Sequence, residues 1–426
     1  MLYFNNVVRF RKWKVFLILG LFSLALGLKV VLKTLRVTAA QLTDLRKCPA
    51  CYGLSICGAI LNNEIVIRHR GVYATFANLF NAKNVFFGNY AGEKVVLKKL
   101  AHTSELYAFD KMLCTDSKLF ELCPNNSNKK SVPRAIDFYT QITRELTTDF
   151  ASDNTSNLRL CPITDHMDDL LYNVYANSGN DKKQISHAYL WTILRINPEP
   201  VVLQILPTED GWPVPKYYGA CGRVIVEEYV GPPLSNYHQE PWIRRAKIAS
   251  SLLEAAQKFT YRSPHFGFYL TDISPDNIAV DPKDNAKFID MENIIVVDKR
   301  IQQNNRTSDW EELEVNKVDF TCQNCLAFSP VDICSHHFSD HNYYAVCQLD
   351  LLFQHLLSRT TSSNAIPGGL LHDIPNDILQ QYPNLPTLIE QCAIPSAAHT
   401  RIVVGDLLRE VLNEIVLENT RQILRH

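Results

Sequence analysis

The pattern of hydrophobic and polar positions changes character halfway along the chain. In the first half, short apolar runs and alternating positions predict strands, whereas residues 104–113 place Leu106, Phe109 and Leu113 on one helical face with Ser104 as N-cap. The predicted strands span 84–90, 94–100, 203–206, 216–218 and 224–229. In the second half, apolar residues recur every three or four positions. This periodicity predicts helices at 242–259, 343–357 and 402–417, and turn residues predict a hairpin at 278–289.

This order of elements predicts an α+β fold with two lobes. A sheet-rich small lobe is followed by a helix-rich large lobe, and a cleft is expected between them. The chain has 426 residues, of which 46% are apolar, so it can bury a substantial core. Its formal net charge is −1 and it has no clustered basic tract, which excludes a nucleic-acid-binding role.

The N-terminus has the charged-then-apolar order of a secretory signal. Four basic residues between Arg9 and Lys14 precede an apolar run from Val15 to Leu28. Extended to Leu32, the run is a marginal membrane span, so a retained anchor and a peptide cleaved near Ala39 are both open. We expect the chain to enter the secretory pathway and to contact the membrane only through this segment.

Twelve cysteines follow the apolar run, and their even number suits full pairing into disulfides in an oxidising lumen. Their spacing does not give the connectivity. A zinc knuckle built from Cys322, Cys325, Cys334 and the following histidines is the alternative for one cluster, and Cys48 and Cys51 form a possible redox pair. Disulfides are favoured in both places because of the signal segment. Acceptor triplets at Asn125, Asn154 and Asn305 indicate a glycoprotein.

Three polar features occur in the order that phosphoryl transfer from ATP requires. Lys98 ends a predicted strand, Asp272 precedes Asn277 by five positions after the long helix, and Asp290 follows the hairpin. The D-x-x-x-x-N spacing alone is expected by chance about once in such a chain. The succession of strand lysine, acidic strand, long helix, loop, hairpin and aspartate is what makes it informative.

The chain resembles the divergent protein kinase domain family, subfamily 2, the deleted-in-autism branch. The resemblance runs from about Lys47 to the C-terminus. Its strings are KCPAC at 47–51, NV at 84–85, VVLK at 95–98, GWP at 211–213, GACGR at 219–223, DHNYYAVC at 340–347 and GGLLHD at 368–373. It implies a bilobal, protein-kinase-like, disulfide-rich fold in the Golgi or secretory-pathway lumen, possibly secreted.

The resemblance implies roles for eight residues. Lys98 would bind the phosphates of ATP with Glu105 as its helix partner, and the backbone at Glu228 and Val230 would bind adenine. Asp272 would orient the acceptor hydroxyl. Asn277 and Asp290 would hold Mg²⁺ or Mn²⁺. Asp340 would be a buried residue that supports the catalytic loop.

The signal segment and the resemblance together divide the chain into four expected parts. We expect a signal peptide or anchor at 1–39, a cysteine-containing segment at 40–83, a kinase-like small lobe with insertions at 84–230 and a large lobe at 231–426.

Several features depart from the kinase pattern. No glycine-rich loop precedes the first strand of the hairpin, Leu270 and Thr271 stand before Asp272, and Glu292 stands where kinases have glycine. Two functions are therefore predicted side by side: ATP- and metal-dependent phosphoryl transfer to a luminal or extracellular protein, and binding or signalling by a pseudokinase. Nucleotidyl transfer in the same cleft is a third reading. The acceptor and the oligomeric state are not predicted.

Overall fold

The computed structural model describes residues 38–68, 84–123, 136–147, 158–161, 165–176, 183–317, 326–348, 369–396 and 400–423. The N-terminal signal segment, the acceptor triplets at Asn125 and Asn154, and Cys322 and Cys325 lie outside these residues. Predictions that concern them therefore stay predictions.

An antiparallel five-stranded sheet forms the small lobe, in the order β1-β2-β3-β6-β5. Its strands are β1 (Val66–Ile67), β2 (Asn84–Tyr90), β3 (Glu93–Lys99), β5 (Tyr217–Cys221) and β6 (Val224–Glu228). The predicted hairpin of β2 and β3 is confirmed, and its turn places Ala91 and Gly92 at positive φ. β3 is rich in valine, and Val95, Val96 and Leu97 are buried in it.

The cysteine-containing segment packs against this sheet. It contributes α1 (Ala39–Leu42), a 3₁₀ turn (Leu45–Lys47) and α2 (Cys57–Leu61). The amide of Tyr52 donates to the carbonyl of Gly222 (2.7 Å), and a disulfide joins Cys57 to Cys221 on β5. The segment thus lies on the small lobe.

The described residues between β3 and β5 include six α-helices and strand β4 (Leu158–Cys161). The helices are α3 (Thr103–Thr115), α4 (Phe138–Thr147), α5 (Met167–Leu170), α6 (Tyr172–Ala176), α7 (Lys183–Ile196) and α8 (Glu199–Ile205). The predicted face of Leu106, Phe109 and Leu113 is buried as expected. However, the N-cap of α3 is His102, and Ser104 lies inside the helix.

The predicted strand at 203–206 is wrong, because residues 199–205 form helix α8. The run Val-Val-Leu-Gln-Ile has the composition of a strand, but Pro200 in the first turn favours a helix start. Burial of this helix from Glu199 to Leu203 removes the amphipathic signal that would identify it from sequence.

The large lobe combines helices with small sheets. One described sheet has the order β4-β10-β7 and consists of β4 (Leu158–Cys161), β10 (Ile294–Asp298) and β7 (Phe266–Leu270). A second sheet pairs β8 (Ile278–Val280) with β9 (Ala286–Phe288), and a third pairs β11 (Leu313–Glu314) with β12 (Phe338–Ser339). The helices are α9 (Trp242–Tyr261), α10 (Pro330–Ser335), α11 (His341–Gln348), α12 (Asn376–Gln381), α13 (Leu385–Ala393) and α14 (Arg401–Ile423). α9 packs along α14, and α11 and α13 pack beside them. The predicted helices at 242–259 and 402–417 and the hairpin at 278–289 are therefore confirmed.

Five disulfides link the described residues. They join Cys48 to Cys51, Cys57 to Cys221, Cys114 to Cys123, Cys161 to Cys334, and Cys347 to Cys392. The predicted disulfide-rich character is confirmed. Because Cys334 is bonded to Cys161, it is not available as a zinc ligand with Cys322 and Cys325.

Two predictions concern a membrane segment and a glycosylation acceptor. Within the described ranges, no helix has both the length and the hydropathy needed to cross a membrane. Asn305 lies on an exposed 3₁₀ turn (Gln303–Asn305), where an acceptor asparagine would be accessible.

We expect the disulfide between Cys57 and Cys221 to stabilise the fold more than the one between Cys114 and Cys123. The two bonds close segments with sequence separations of 164 and 9 residues. The longer loop loses more entropy in the unfolded state, so replacing both cysteines by serine should cost about 5 kcal/mol for the first pair and about 3 kcal/mol for the second. Urea denaturation of the two double variants measures the difference, and equal losses would contradict it.

Candidate active site

A cavity of about 700 Å³ lies between the two lobes. The small lobe contributes apolar residues such as Val85 and Val96 to its walls, and the large lobe contributes Ala279 and Ile289. Polar residues from both sides line the same space: Lys98, Asn197, Glu199, Glu227, Asp276, Asn277 and Asp290. An apolar cleft with a few convergent polar groups is typical of a ligand site.

The register of the small-lobe sheet selects which side chains face this cavity. Val85 on β2 lies opposite Lys98 on β3, and Val96 lies opposite Glu227 on β6. Since side chains alternate across a sheet and directly opposed residues share a face, Val85, Val96, Lys98 and Glu227 project on one side. All four line the cavity.

The ammonium of Lys98 is the most densely bonded group of the cleft. Nζ lies 2.7 Å from Glu199 Oε1, 2.7 Å from Glu227 Oε1 and 2.6 Å from the carbonyl oxygen of Ile289. These acceptors come from helix α8, strand β6 and the residue just before Asp290. The lysine therefore ties the small lobe to the segment that carries the predicted metal ligand.

Burial and charge shift the pKa values of this cluster. Burial alone would lower the pKa of Lys98, but the carboxylates of Glu199 and Glu227 outweigh it and raise that pKa above its ordinary value. Burial raises the pKa of Glu199 to about 8, although Lys98 opposes the shift. The pKa of Glu227 is also raised by burial, against the same opposition.

Glu105, the predicted partner of Lys98, is not part of this cluster. Its carboxylate accepts from the amide of His102 (2.6 Å) in a capping box at the exposed start of α3. Helix α3 is instead held by Asp110, whose carboxylate pairs with Lys47 and with the buried Arg223. The prediction for Glu105 is therefore wrong, and Glu199 takes its place.

Sequence reasoning missed Glu199 because it lies 101 residues from Lys98. Its only local signal is the Asn-Pro-Glu-Pro string at 197–200, which suits a helix start. In the structure a helix does start there, and Asn197 Oδ1 accepts a hydrogen bond from the amide of Glu199 (2.9 Å). The adjacent β-branched residues pointed instead to a strand.

Asn197 also binds Glu292, the residue that stands where kinases have glycine. Its amide nitrogen donates to Glu292 and to the carbonyl of Leu100 (3.3 Å). Met291 beside it is 1% exposed and packs in the main core. The segment after Asp290 is thus held by side chains where kinases have a flexible glycine.

The predicted catalytic loop follows β7. The Asn277 amide nitrogen lies 3.4 Å from the carbonyl oxygen of Asp272, and Asn293 Nδ2 lies 3.4 Å from Asp272 Oδ2. Asp272 is exposed at the edge of the cleft, whereas Asn277 and Asp290 line the cavity. The amide of Ile289 donates to the carbonyl of Asn277 (2.9 Å), which brings the two predicted metal ligands together.

The segment expected to bind adenine, Glu228 to Val230, is called the hinge here, and it also lines the cavity. Val230 is buried, and the Glu228 carboxylate accepts from Lys287 Nζ (2.7 Å) and from the amide of Lys216 (3.0 Å), so this side chain has a structural role. The chain then passes close to β8, where a Cβ on Gly231 would lie 1.9 Å from the carbonyl oxygen of Val280. Only glycine fits at this point, which fixes the distance between the hinge and the large lobe.

Asn277 and Asp290 offer a carboxylate and an amide oxygen, the ligand types that Mg²⁺ and Mn²⁺ take together with substrate phosphates. Among the residues that the structure describes, no group of three or more His, Cys, Asp or Glu is arranged to hold a metal by itself. Asn277 and Asp290 therefore fit such a cation as partial ligands.

A buried polar network holds the catalytic loop from below. The carboxylate of Asp340 pairs with Arg401, and both side chains are 0% exposed. His341 Nε2 donates to the carbonyl of Leu270 (2.8 Å), and Asn342 Oδ1 accepts from the amide of the same residue (3.1 Å). Leu270 ends β7 immediately before the loop, so this network sets the position of Asp272.

Comparisons with known proteins identify the family. The family described as "Protein-kinase domain of FAM69" matches residues 190–395. "Divergent protein kinase domain 2A" of Homo sapiens is 36% identical over 395 residues, which cover 89% of each chain, and that of Xenopus tropicalis is 35% identical over the same length and share. The chain belongs to the divergent protein kinase domain 2 family. "Divergent protein kinase domain 2B" of Homo sapiens is more distant, at 26% identity over 71% of each chain.

Membership of the divergent protein kinase domain 2 family establishes the kinase-like fold. The small-lobe sheet, the cleft and the helical large lobe correspond to the two lobes expected from sequence. The family match at 190–395 includes helix α8 with Glu199, the hinge, the loop from Asp272 to Asn277, and Asp340.

Replacing Glu199 by alanine should destabilise the protein more than replacing Glu105 by alanine. The first change removes a buried carboxyl group from the partly buried Lys98 and should cost about 3 kcal/mol. The second removes an exposed helix cap and should cost about 1 kcal/mol. Free energies of unfolding from urea titrations give both values. A larger loss for Glu105→Ala would contradict the observed pairing.

The stability of the protein should depend on pH through His341. Burial lowers the pKa of His341 to about 4, whereas an unfolded histidine titrates near its ordinary value of 6.5. The unfolded chain therefore takes up this proton first, and stability present above pH 6.5 is lost as the pH falls towards 4, by about 2 kcal/mol at pH 5. Urea denaturation at several pH values should show a steeper acid loss for the wild type than for His341→Gln. The exposed His265→Gln variant serves as control and should keep the wild-type slope.

Proposed function

We propose that this protein is an ATP- and divalent-metal-dependent phosphotransferase that acts on luminal or extracellular proteins. One observation carries the proposal. Lys98, Asn277 and Asp290 line a single cavity of about 700 Å³, and Lys98 bonds to the residue next to Asp290. Phosphoryl transfer depends mainly on positioning and on charge stabilisation, and these groups supply both.

Each residue has a defined task in this proposal. Lys98 presents a permanent positive charge to the phosphates, and its raised pKa keeps it protonated throughout the physiological range. Asn277 and Asp290 hold Mg²⁺ or Mn²⁺, which neutralises phosphate charge when bound. Asp272, exposed at the edge of the cleft and oriented by Asn293, accepts a hydrogen bond from the hydroxyl of the acceptor. The backbone at Glu228 and Val230 binds the base.

A second function is supported by the charge balance around Lys98. Two buried carboxyl groups bind its ammonium, so less of its charge is available to phosphates than with a single partner. Glu292 is held by Asn197 where kinases have a flexible glycine. Both features suit a pseudokinase that binds a nucleotide, or a secreted signalling protein, without turnover.

A luminal or extracellular location is part of the proposal. Five disulfides among the described residues suit an oxidising compartment, and the N-terminal sequence has the order of a secretory signal. We infer residence in the Golgi or secretory lumen, or secretion, and an acceptor protein in the same place.

The full-length protein should transfer the γ-phosphoryl group of labelled ATP to a protein acceptor with Mg²⁺ or Mn²⁺. Asp290→Asn should lower the labelling about 100-fold or more, because it weakens the metal site. Asp309→Asn, the same change at an exposed residue of the large lobe, should leave it unchanged.

The position of the label separates the alternatives. Transfer from α-labelled ATP would indicate nucleotidyl transfer instead. Thermal stabilisation by ATP without labelling would support the pseudokinase, and equal labelling by the wild type and Asp290→Asn would overturn the phosphotransferase.

A further inference from the structure

Among the residues that the structure describes, one carboxylate oxygen of the cleft has no hydrogen-bond partner. The side chain of Glu227 is 2% exposed, and its Oε1 lies 2.7 Å from Lys98 Nζ. The other oxygen, Oε2, is shielded from solvent and is bonded to none of the described residues. Buried carboxylate oxygens are normally satisfied, since an unpaired one costs about 1–3 kcal/mol. An unpaired carboxylate oxygen in a ligand cavity indicates that a group of the ligand pairs with it.

The position of Glu227 suggests what the missing partner is. It lies directly opposite Val96 in the β3–β6 register, and both residues line the cavity. The next residues along the chain, Glu228 to Val230, form the hinge segment. A planar base between Val96 above and Ala279 below would therefore present its edge to the hinge and to Glu227.

The charges of the cluster indicate that Oε2 accepts rather than donates. Lys98 Nζ lies 2.7 Å from Glu227 Oε1, and this ammonium favours the ionised form of Glu227 against the burial that raises its pKa. An ionised carboxylate oxygen can only accept, so its partner must be an N–H or O–H group.

We propose that Glu227 Oε2 accepts a hydrogen bond from the 6-amino group of a purine nucleotide, and that Glu227 thereby selects 6-amino over 6-oxo purines. The proposal rests on the proposed function, in that the cleft must bind a nucleotide. The terminal torsion of glutamate is broad, so a partial rotation moves Oε2 towards the cavity and Oε1 by a similar amount, and the Lys98 side chain adjusts to keep the ion pair. A 6-oxo group in the same place would oppose two acceptors and leave both unsatisfied.

Binding of ATP and inosine triphosphate tests this selection, because the two differ at the 6-position of the base. Isothermal titration calorimetry of the full-length protein with Mg²⁺ should give about 10-fold tighter binding of ATP than of inosine triphosphate. The Glu227→Gln variant keeps the shape of the side chain, but its amide can either donate or accept. It should bind both nucleotides within about threefold of each other. Glu254→Gln, the same change at an exposed residue of α9, should keep the wild-type ratio.

The outcomes separate this inference from the proposed function. Equal binding of ATP and inosine triphosphate by the wild type would overturn the role of Glu227 and leave nucleotide binding intact. An unchanged ratio in Glu227→Gln would overturn it as well. Failure of the wild type to bind either nucleotide would overturn both proposals. If Glu227→Gln does not fold, Glu227→Asp takes its place, because it keeps the charge and withdraws the carboxylate by one methylene; an unchanged ratio in that variant would overturn the role of Glu227.

Discussion

The partly buried ammonium of Lys98 brings together the parts on which the cleft depends. A charge removed from water is tolerated only where partners replace its hydration, and here the partners are Glu199, Glu227 and the carbonyl of Ile289. These partners belong to helix α8, to strand β6 of the small lobe and to the segment just before Asp290. Satisfying one lysine therefore positions three elements, and the cavity is the space that remains beside them.

A second set of constraints keeps the large lobe in place. The ion pair of Asp340 with Arg401 is fully buried, and the neighbouring His341 and Asn342 bind both backbone groups of Leu270. Disulfides add covalent links from Cys161 to Cys334 and from Cys347 to Cys392. The loop that carries Asp272 is thus supported by contacts that do not depend on a phosphorylated segment.

The chemistry of the cleft follows from a surplus of acid around one cation. Lys98 faces two carboxyl groups, and Asp290 lies in the same cavity. Burial raises the pKa of both glutamates, which reduces the negative charge that the cluster carries at neutral pH. A divalent cation held by Asn277 and Asp290 would bring positive charge to this site, and a nucleobase would bring hydrogen-bond donors. The same surplus of acid bears on both proposed functions, turnover and binding alone.

The sequence determined the elements whose signals are local. The hairpin of β2 and β3, helix α9 and the order of Lys98, Asp272, Asn277 and Asp290 follow from periodicity, turn residues and spacing, which act over a few residues. Tertiary structure alone decided that Glu199 rather than Glu105 meets Lys98, that residues 199–205 form a helix, and which cysteines pair. These outcomes depend on burial and on contacts between residues as much as 173 positions apart. Local patterns do not encode them, because the free energy of a buried ion pair or a disulfide is set by the packing of the whole fold.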